Sequence, residues 1–338
     1  METVISGRKM NTRRDALFAV ALVLSAGGCR QSGTSGRDEK VRAKIRPVVE
    51  CSNRVLEHFT EIAPIYREDV RRLSNPLDEL APFRNPDGSF FYIGLDEHGV
   101  NYLTACANGL DAASKLSPNM EDLDAPARDT AAALRSLIEP GKQMDEYFAQ
   151  HRYRDDQFAE GRQLDATITP LLNRIVAGAR QLADSVQREE RTVRQHGLEA
   201  INAQEGHSLR WHTQQTVMAA RAMNEKLDDL YLHGRLDPAS AQTAIQPLQS
   251  AFDDTEAYLE AHPEEAKSNS GPAATWSQME HSVAIELSDT KELRELLSTS
   301  QEPAGEQRRQ IQHVLQNVRS SFNEIVNMYN TAVQTEKR

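Results

Sequence analysis

The chain has 338 residues, of which 39% are hydrophobic, 6% aromatic and 26% charged, and its formal net charge is −11. A chain of this length buries a sizeable core without help from disulfides or metals. Residues 1–28 carry a net charge of +2, so the rest of the chain is near −13. Such a surface repels a phosphate backbone, and no local basic patch offsets it, which excludes nucleic acid as an expected partner.

The first segment has the order of an export signal. Residues 1–14 are polar and basic, and residues 16–28 form an uncharged apolar run of 13 residues, shorter than the roughly 20 residues of a membrane-spanning helix. The run ends in LSAGGC (24–29), which resembles the bacterial lipobox, although Ala26 stands where leucine is commoner. We therefore predict a signal peptide over 1–28 and acylation of Cys29. The alternative is plain export with an incidental cysteine.

Further details of this segment predict where the protein is located in the cell. Met10 also supplies a complete basic start, and Arg13-Arg14 fits a twin-arginine signal, so two start sites and two export routes are open. The polar, Gly/Ser-rich residues 29–38 predict a flexible tether. The residues after Cys29 begin Arg-Gln, without the aspartate that commonly holds enterobacterial lipoproteins in the inner membrane. We expect a lipid anchor in the Gram-negative cell envelope, facing the periplasm, with the outer membrane favoured over the inner.

Residues 39–335 show helical periodicity almost throughout. Apolar residues from Val41 to Leu73 recur at spacings of three, four and seven, which predicts one long helix that Pro47 and Pro64 kink or begin. Further helices are predicted at 99–116, 121–152, from 164 onward, at 208–233, 238–261 and 274–298, and from 311 to 333. We therefore predict an all-α fold, an elongated antiparallel helical bundle that forms one domain over 39–335.

Residues 75–99, NPLDELAPFRNPDGSFFYIGLDEHG, interrupt this pattern. Three prolines and an Asp-Gly pair ahead of SFFYIG predict a proline- and aromatic-rich loop insertion, with a short hairpin near 87–94. The insertion holds four of the nineteen aromatic residues, namely Phe83, Phe90, Phe91 and Tyr92. Either these rings pack onto the bundle as a lid, or they contact a partner or ligand.

Motifs for catalysis or cofactor binding do not occur in the sequence. It contains no G-x-S-x-G, no phosphate-binding glycine loop, no H-E-x-x-H and no C-x-x-C. His207 and His212 are five positions apart, which separates them by about 140° on a helix, whereas a metal-binding pair usually has i,i+4 spacing. We predict no catalytic residues, no metal and no cofactor, and a protein that is not an enzyme.

The segment YFAQHRYRDDQFAEGRQLDATITPLL (147–172) resembles the signature of the YiiG-like bacterial lipoprotein family, a domain of unknown function. The family pattern is an aromatic pair, then tyrosine, a basic residue and Asp-Asp, which fall here on Tyr147-Phe148, Tyr153, Arg154 and Asp155-Asp156. The segments VVECSNRV (48–55) and FNEIVNMYNTAV (322–333) are similar to the two ends of the family domain. The resemblance implies an all-helical periplasmic domain on a lipid anchor, without an established activity.

Four further residues have predicted structural roles. Asp155 or Asp156 suits a helix N-cap, because its carboxylate accepts hydrogen bonds from the first backbone N–H groups of a helix. Cys51 and Cys106 are the cysteines left after Cys29 is acylated. We expect them to pair, because exported chains pass through an oxidising compartment. The alternative is two buried free cysteines that pack as small hydrophobic residues.

These features favour a lipid-anchored periplasmic protein that acts through contacts with a protein partner. The membrane is reached through the N-terminal lipid. One alternative is an immunity-type lipoprotein that neutralises a secreted toxin, since an acidic surface suits a basic effector. Another is a protein that binds a small molecule or a cell-wall fragment between its helices.

Overall fold

The first hydrophobic stripe folds as two α-helices with a π-helical turn between them. The computed structural model describes residues 36–72, 95, 97–268, 270–299 and 305–335. Helix α1 spans Gly36–Cys51, the π turn spans Ser52–Leu56, and α2 spans Glu57–Arg72. Pro47 lies inside α1 and Pro64 inside α2. The interruption therefore falls between the prolines, where a wider turn changes the phase of the apolar stripe.

Helix α1 begins earlier than the sequence predicted. Residues 36–38 were assigned to the flexible tether, but they form the first residues of α1, so that boundary was wrong. Asp38 and Glu39 lie in the first turn, where acidic side chains interact favourably with the positive end of the helix dipole. Asp38 is also buried, which a solvated tether residue would not be. Residues 29–35 lie outside the described part of the chain.

Nine further helices follow. They are α3 (Glu97–Lys115), α4 (Glu121–Ala149), α5 (Tyr153–Asp156), α6 (Ala159–Glu205), α7 (Leu209–Leu232), α8 (Pro238–Ala261), α9 (Pro263–Ala266), α10 (Gly271–Ser298) and α11 (Gly305–Thr335) among the described residues. These helices divide between two compact units, whereas one domain was predicted over 39–335. Unit 1 contains Arg37–Glu190, and unit 2 contains the chain from Arg191 onward.

In unit 1, α3 and α4 form a helical hairpin, and α6 packs against α4 at a glycine. The Cα of Gly178 on α6 lies so close to Thr130 on α4 that a methyl group at position 178 would overlap Thr130 Oγ1. Thr130 is fully buried. A side chain at position 178 would therefore force the helices apart, which is the usual reason for a small residue at such a crossing.

The core of unit 2 lies between α7, α8, α10 and α11, which pack against one another. Its apolar residues recur at helical spacing on each of the four helices, and full burial of each Leu, Ile, Val or Met stabilises the fold by roughly 1.5–3 kcal/mol. The most deeply buried are Ala220, Met223, Leu227, Ala241, Leu248, Met279, Val283, Leu293, Val318 and Ile325.

Two helices of unit 2 begin at residues whose side chains cap them. Asp237 accepts hydrogen bonds from the N–H groups of Ala239 and Ser240, and the Ser240 hydroxyl accepts one from the Asp237 N–H. This is a capping box, with Pro238 at the first helical position of α8. Ser208 caps α7 through one hydrogen bond, which its side chain accepts from the Trp211 N–H.

The prediction of an all-α helical bundle is confirmed, because all regular secondary structure in the described residues is helical. The predicted hairpin near 87–94 and most of the 75–99 insertion lie outside the described residues, and α3 begins at Glu97. Within the described ranges, no helix is both long enough and apolar enough to cross a membrane.

Candidate functional site

The signature segment at 147–160 folds into a compact aromatic cluster in unit 1. Tyr147 and Phe148 at the end of α4, Tyr153 on α5 and Phe158 before α6 are all buried. The rings of Tyr153 and Phe158 stack with centroids 5.2 Å apart, and those of Tyr147 and Phe148 meet edge to face at 5.3 Å. Contacts of this kind add to the stabilisation from burial. The aromatic residues of the signature therefore join α4 to α6.

The carboxylate of Asp156 caps α6 from within this cluster. It accepts hydrogen bonds from the Phe158 N–H at 3.0 Å, the Glu160 N–H at 2.8 Å and the Tyr147 hydroxyl at 2.8 Å. Burial by itself raises the pKa of Asp156, but these hydrogen bonds outweigh it and lower that pKa below its ordinary value. Asp155, the other predicted cap, is exposed. This geometry is that of a capping residue.

The turns on either side of α5 have unusual backbone angles. His151, Gln157 and Phe158 have φ values of 57°, 53° and 65°, in the left-handed region that costs non-glycine residues free energy. Arg152 and Glu160 hold the two turns together, with Arg152 Nη1 2.8 Å from Glu160 Oε1. The cluster of buried rings compensates for the strained turns, so the signature is explained by packing.

Cys51 on α1 and Cys106 on α3 form a disulfide, with their Cα atoms 4.8 Å apart. This separation is within the range that a disulfide requires. Both residues are buried, with 4% and 6% of their surfaces exposed. The disulfide joins α1 to α3, and the loop that it closes contains α2 and the 75–99 insertion. Cys29, the predicted lipid attachment site, lies outside the described residues.

Unit 1 also contains a buried ion pair that the sequence analysis missed. Lys44 on α1 is fully buried, and its Nζ lies 2.7 Å from Asp124 Oδ1 on α4. The same Nζ donates hydrogen bonds to the carbonyl oxygens of Leu116 and Pro118 in the α3–α4 connection. A buried ammonium group is tolerated only when it is paired and fully hydrogen-bonded. Lys44 stands three residues after Val41, on the apolar stripe of α1, and this position was the sequence feature that could have predicted its burial.

Unit 2 contains a buried carboxyl group that was also missed. Glu286 on α10 is fully buried and its Oε1 accepts a hydrogen bond from Asn224 Nδ2 on α7 at 2.5 Å. Burial raises the pKa of Glu286 to about 8; the Asn224 hydrogen bond opposes the rise, and the charge of Asp289 adds to it. Met279, Val283 and Glu286 lie on one helical stripe. A polar residue on an apolar stripe was again the sequence feature that could have predicted a buried charged group.

A histidine and aromatic cluster lies where α7 begins and α8 ends. His207 stacks on Trp211 with centroids 3.9 Å apart, and His262 stacks on Tyr258 at 4.1 Å. The centroid of the His212 ring lies 4.9 Å from that of the Tyr258 ring. The pKa of His212 is lowered, mainly by burial and secondly by the charge of His207. Across the described part of the chain, no three His, Cys, Asp or Glu side chains are grouped so that they could hold a metal ion.

An open groove of about 480 Å³ lies in unit 2, between the C-terminal part of α6 and α7. Side chains spaced three and four apart on each helix face one another across it. They are Arg191, Thr192, Arg194, Gln195, His196 and Glu199 on α6, and Met218, Arg221, Ala222 and Glu225 on α7. The neighbouring segment QREER (187–191) has the pattern of a solvated helix face, and spacing along one helix does not show that α7 lies beside it.

Comparison with known proteins identifies the family. The family model described as "Protein of unknown function (DUF3829)" matches residues 40–337. A relative is the uncharacterized protein YiiG of Escherichia coli (strain K12), which is 25% identical over 151 residues. That match covers 44% of this chain and 41% of the relative's own length. No solved structure shows significant similarity to the chain.

The family match covers most of the chain and includes the signature segment at 147–172. The resemblance to a YiiG-like domain of unknown function is thus confirmed. The aromatic cluster and the buried Lys44–Asp124 pair both lie within the matched residues. The chain therefore belongs to the family described as protein of unknown function (DUF3829).

Proposed function

We propose that this protein is a lipid-anchored component of the Gram-negative cell envelope, faces the periplasm, and acts by binding a protein partner and not by catalysis. The observation that carries the proposal is the order of residues 1–29: a basic segment, a 13-residue apolar run, small residues and Cys29. Several acyl chains on one cysteine anchor a protein far more stably than a single chain does.

Two further observations support an exported binding protein. The Cys51–Cys106 disulfide suits an oxidising compartment such as the periplasm. The chain after residue 28 has a net charge near −13, so its field accelerates association with a basic partner and disfavours acidic ones. The proposed partner is therefore a protein with a basic surface.

Anchoring is tested by mass spectrometry of the mature N-terminus together with membrane fractionation. We expect an N-terminus at Cys29 that carries diacylglycerol, and a protein that stays with the membrane fraction after a high-salt wash. A Cys29→Ser variant should lose the lipid and move to the soluble fraction. An unmodified N-terminus, or equal fractionation of the wild type and the variant, would contradict the proposal.

Partner binding is tested by photo-crosslinking in cells. The large apolar residues that are most exposed in the described chain are Tyr102, Leu116, Leu232 and Ile285, at 57%, 44%, 39% and 38% exposure. We expect a crosslinking amino acid at one or more of these positions to give an adduct of one discrete mass. The adduct should decrease at high salt if the partner is basic. Failure at all four positions would count against a protein partner.

A further inference from the structure

Helix α1 carries positive charge close to Cys29 on a chain that is otherwise acidic. Residues 29–51 contain six basic and three acidic residues, a net charge of +3, whereas residues 52–338 have a net charge of −16. Helix α1 begins at Gly36, so seven residues, 29–35, separate the proposed lipid from the helix. Seven residues reach about 25 Å at most when fully extended. The first turn of α1 therefore stays within about 25 Å of the lipid.

Three basic side chains near the start of α1 have no acidic partner. Arg37 and Lys40 are exposed and Arg42 is partly exposed, and none of the three forms an ion pair within the described residues. They are distributed over about 8 Å of the helix axis, at a rise of 1.5 Å per residue. Asp38 and Lys44 lie among them in the sequence but are buried. The exposed basic surface is therefore visible only in the structure.

The acidic residues near this surface do not cancel its charge. Glu39 is exposed on α1 and offsets one of the three cations. Glu50 forms an ion pair with Arg46. At the start of α4, Glu121 and Asp122 each form an ion pair with an arginine of their own. The exposed side chains of α1 therefore have a net charge of +2.

We propose that Arg37, Lys40 and Arg42 bind the anionic phospholipid surface of the membrane in which the protein is anchored. The proposal rests on the lipid anchor at Cys29, which brings α1 to that surface, and adds a second contact to it. Charges interact over about one Debye length, roughly 8 Å at physiological ionic strength, so the side chains beside the anchor are attracted to the surface although the whole chain is acidic. A tethered contact also has an effective concentration on the order of 1 mM, at which weak binding is populated.

Co-sedimentation with lipid vesicles tests this contact in the absence of the lipid anchor. The chain used is residues 29–338 with Cys29→Ser, which keeps all the described helices. We expect it to sediment with phosphatidylglycerol vesicles but not with phosphatidylcholine vesicles at about 0.1 M salt, and to be released at about 1 M salt. The triple variant Arg37→Gln, Lys40→Gln, Arg42→Gln should bind roughly 100-fold more weakly, since each basic residue near a membrane strengthens binding about five-fold.

The matched control replaces one lysine and two arginines that are exposed in unit 2, in the triple variant Lys291→Gln, Arg294→Gln, Arg308→Gln. Its net charge changes by the same amount, so it should sediment almost as the parent chain does. An equal loss of binding in both triple variants would overturn the proposal, because net charge and not α1 would then control binding. Equal sedimentation with both kinds of vesicle would also overturn it.

Two further measurements separate this proposal from folding effects and from the anchor. The double variant Arg37→Lys, Arg42→Lys keeps the charge and should bind as the parent does, and all variants should keep the circular dichroism spectrum of the parent. Mass spectrometry of the mature N-terminus tests the anchor by itself. An unlipidated N-terminus with α1-dependent vesicle binding would contradict the anchor alone, whereas a lipidated N-terminus without such binding would overturn the α1 contact alone.

Discussion

Replacing Glu286 with glutamine should change how the stability of unit 2 depends on pH. The Glu286 carboxyl is fully buried between α10 and α7 and bonds to Asn224. Its Oε2 atom has no hydrogen-bond partner among the described residues. Ionisation would therefore place a negative charge in an apolar core with one neutral donor to stabilise it, which is costly. Glutamine keeps the acceptor for Asn224 and cannot ionise.

The direction of the effect follows from proton linkage. The pKa of Glu286 rises from 4.5 to about 8 on folding, so between these values the native state holds a proton that the unfolded state releases. The free energy of unfolding therefore falls as pH rises through this window. A shift of this size corresponds to a ceiling of about 5 kcal/mol, of which roughly 3 kcal/mol falls between pH 5 and pH 8. The Glu286→Gln variant does not lose this free energy of unfolding, because glutamine does not ionise.

Urea unfolding at several pH values, followed by tryptophan fluorescence, measures the effect. Both tryptophans, Trp211 and Trp276, lie in unit 2, so the signal reports the unit that contains Glu286. We expect the variant's stability relative to the wild type to increase by about 3 kcal/mol from pH 5 to pH 8. Glu295→Gln, at an exposed position on α10, is the control and should show no such trend. A difference that is constant across this range would refute the reasoning.

Two further predictions concern unit 1. Lys44→Met should lower the free energy of unfolding by about 3–5 kcal/mol, because it leaves Asp124 buried without its cation. Lys40→Met, exposed on the same helix, should change it little in the same circular dichroism titration. Thiol labelling of denatured, unreduced protein should detect no free thiol at Cys51 or Cys106, and reduction should cost about 4 kcal/mol for a sequence separation of 55 residues. Two reactive thiols before reduction would exclude the pairing.

The helical architecture could be predicted because it depends on local pattern. Spacings of three and four between apolar residues place them on one face of a helix, whatever the rest of the chain does. The boundaries of α8 were predicted at 238–261 and are observed there, since Pro238 and the Asp237 cap act over only a few residues. The π turn at Ser52–Leu56 was missed, because it changes the phase of a stripe whose residues still recur at helical spacing.

The groove between α6 and α7 could not be predicted from the sequence. The three arginines of the groove lie on helices that are separated by the turn at 206–208, and each helix by itself reads as an ordinary amphipathic face. Only the packing of α6 against α7 places Arg194 and Arg221 around one concavity. Opposition of side chains across a groove depends on how the helices pack, which spacing along one helix does not determine.

The sequence by itself determined the helical class and the family signature, because each depends on residues adjacent in the chain; the acylation of Cys29 stays a prediction. The tertiary structure decided which polar side chains are buried and what they meet there. Lys44 and Glu286 each occupy a stripe of apolar residues, and neither spacing nor composition shows that Asp124 and Asn224 are their partners. Those partners come from other helices, and burial raises the cost of leaving such groups unpaired. The free energy of these contacts therefore depends on long-range packing.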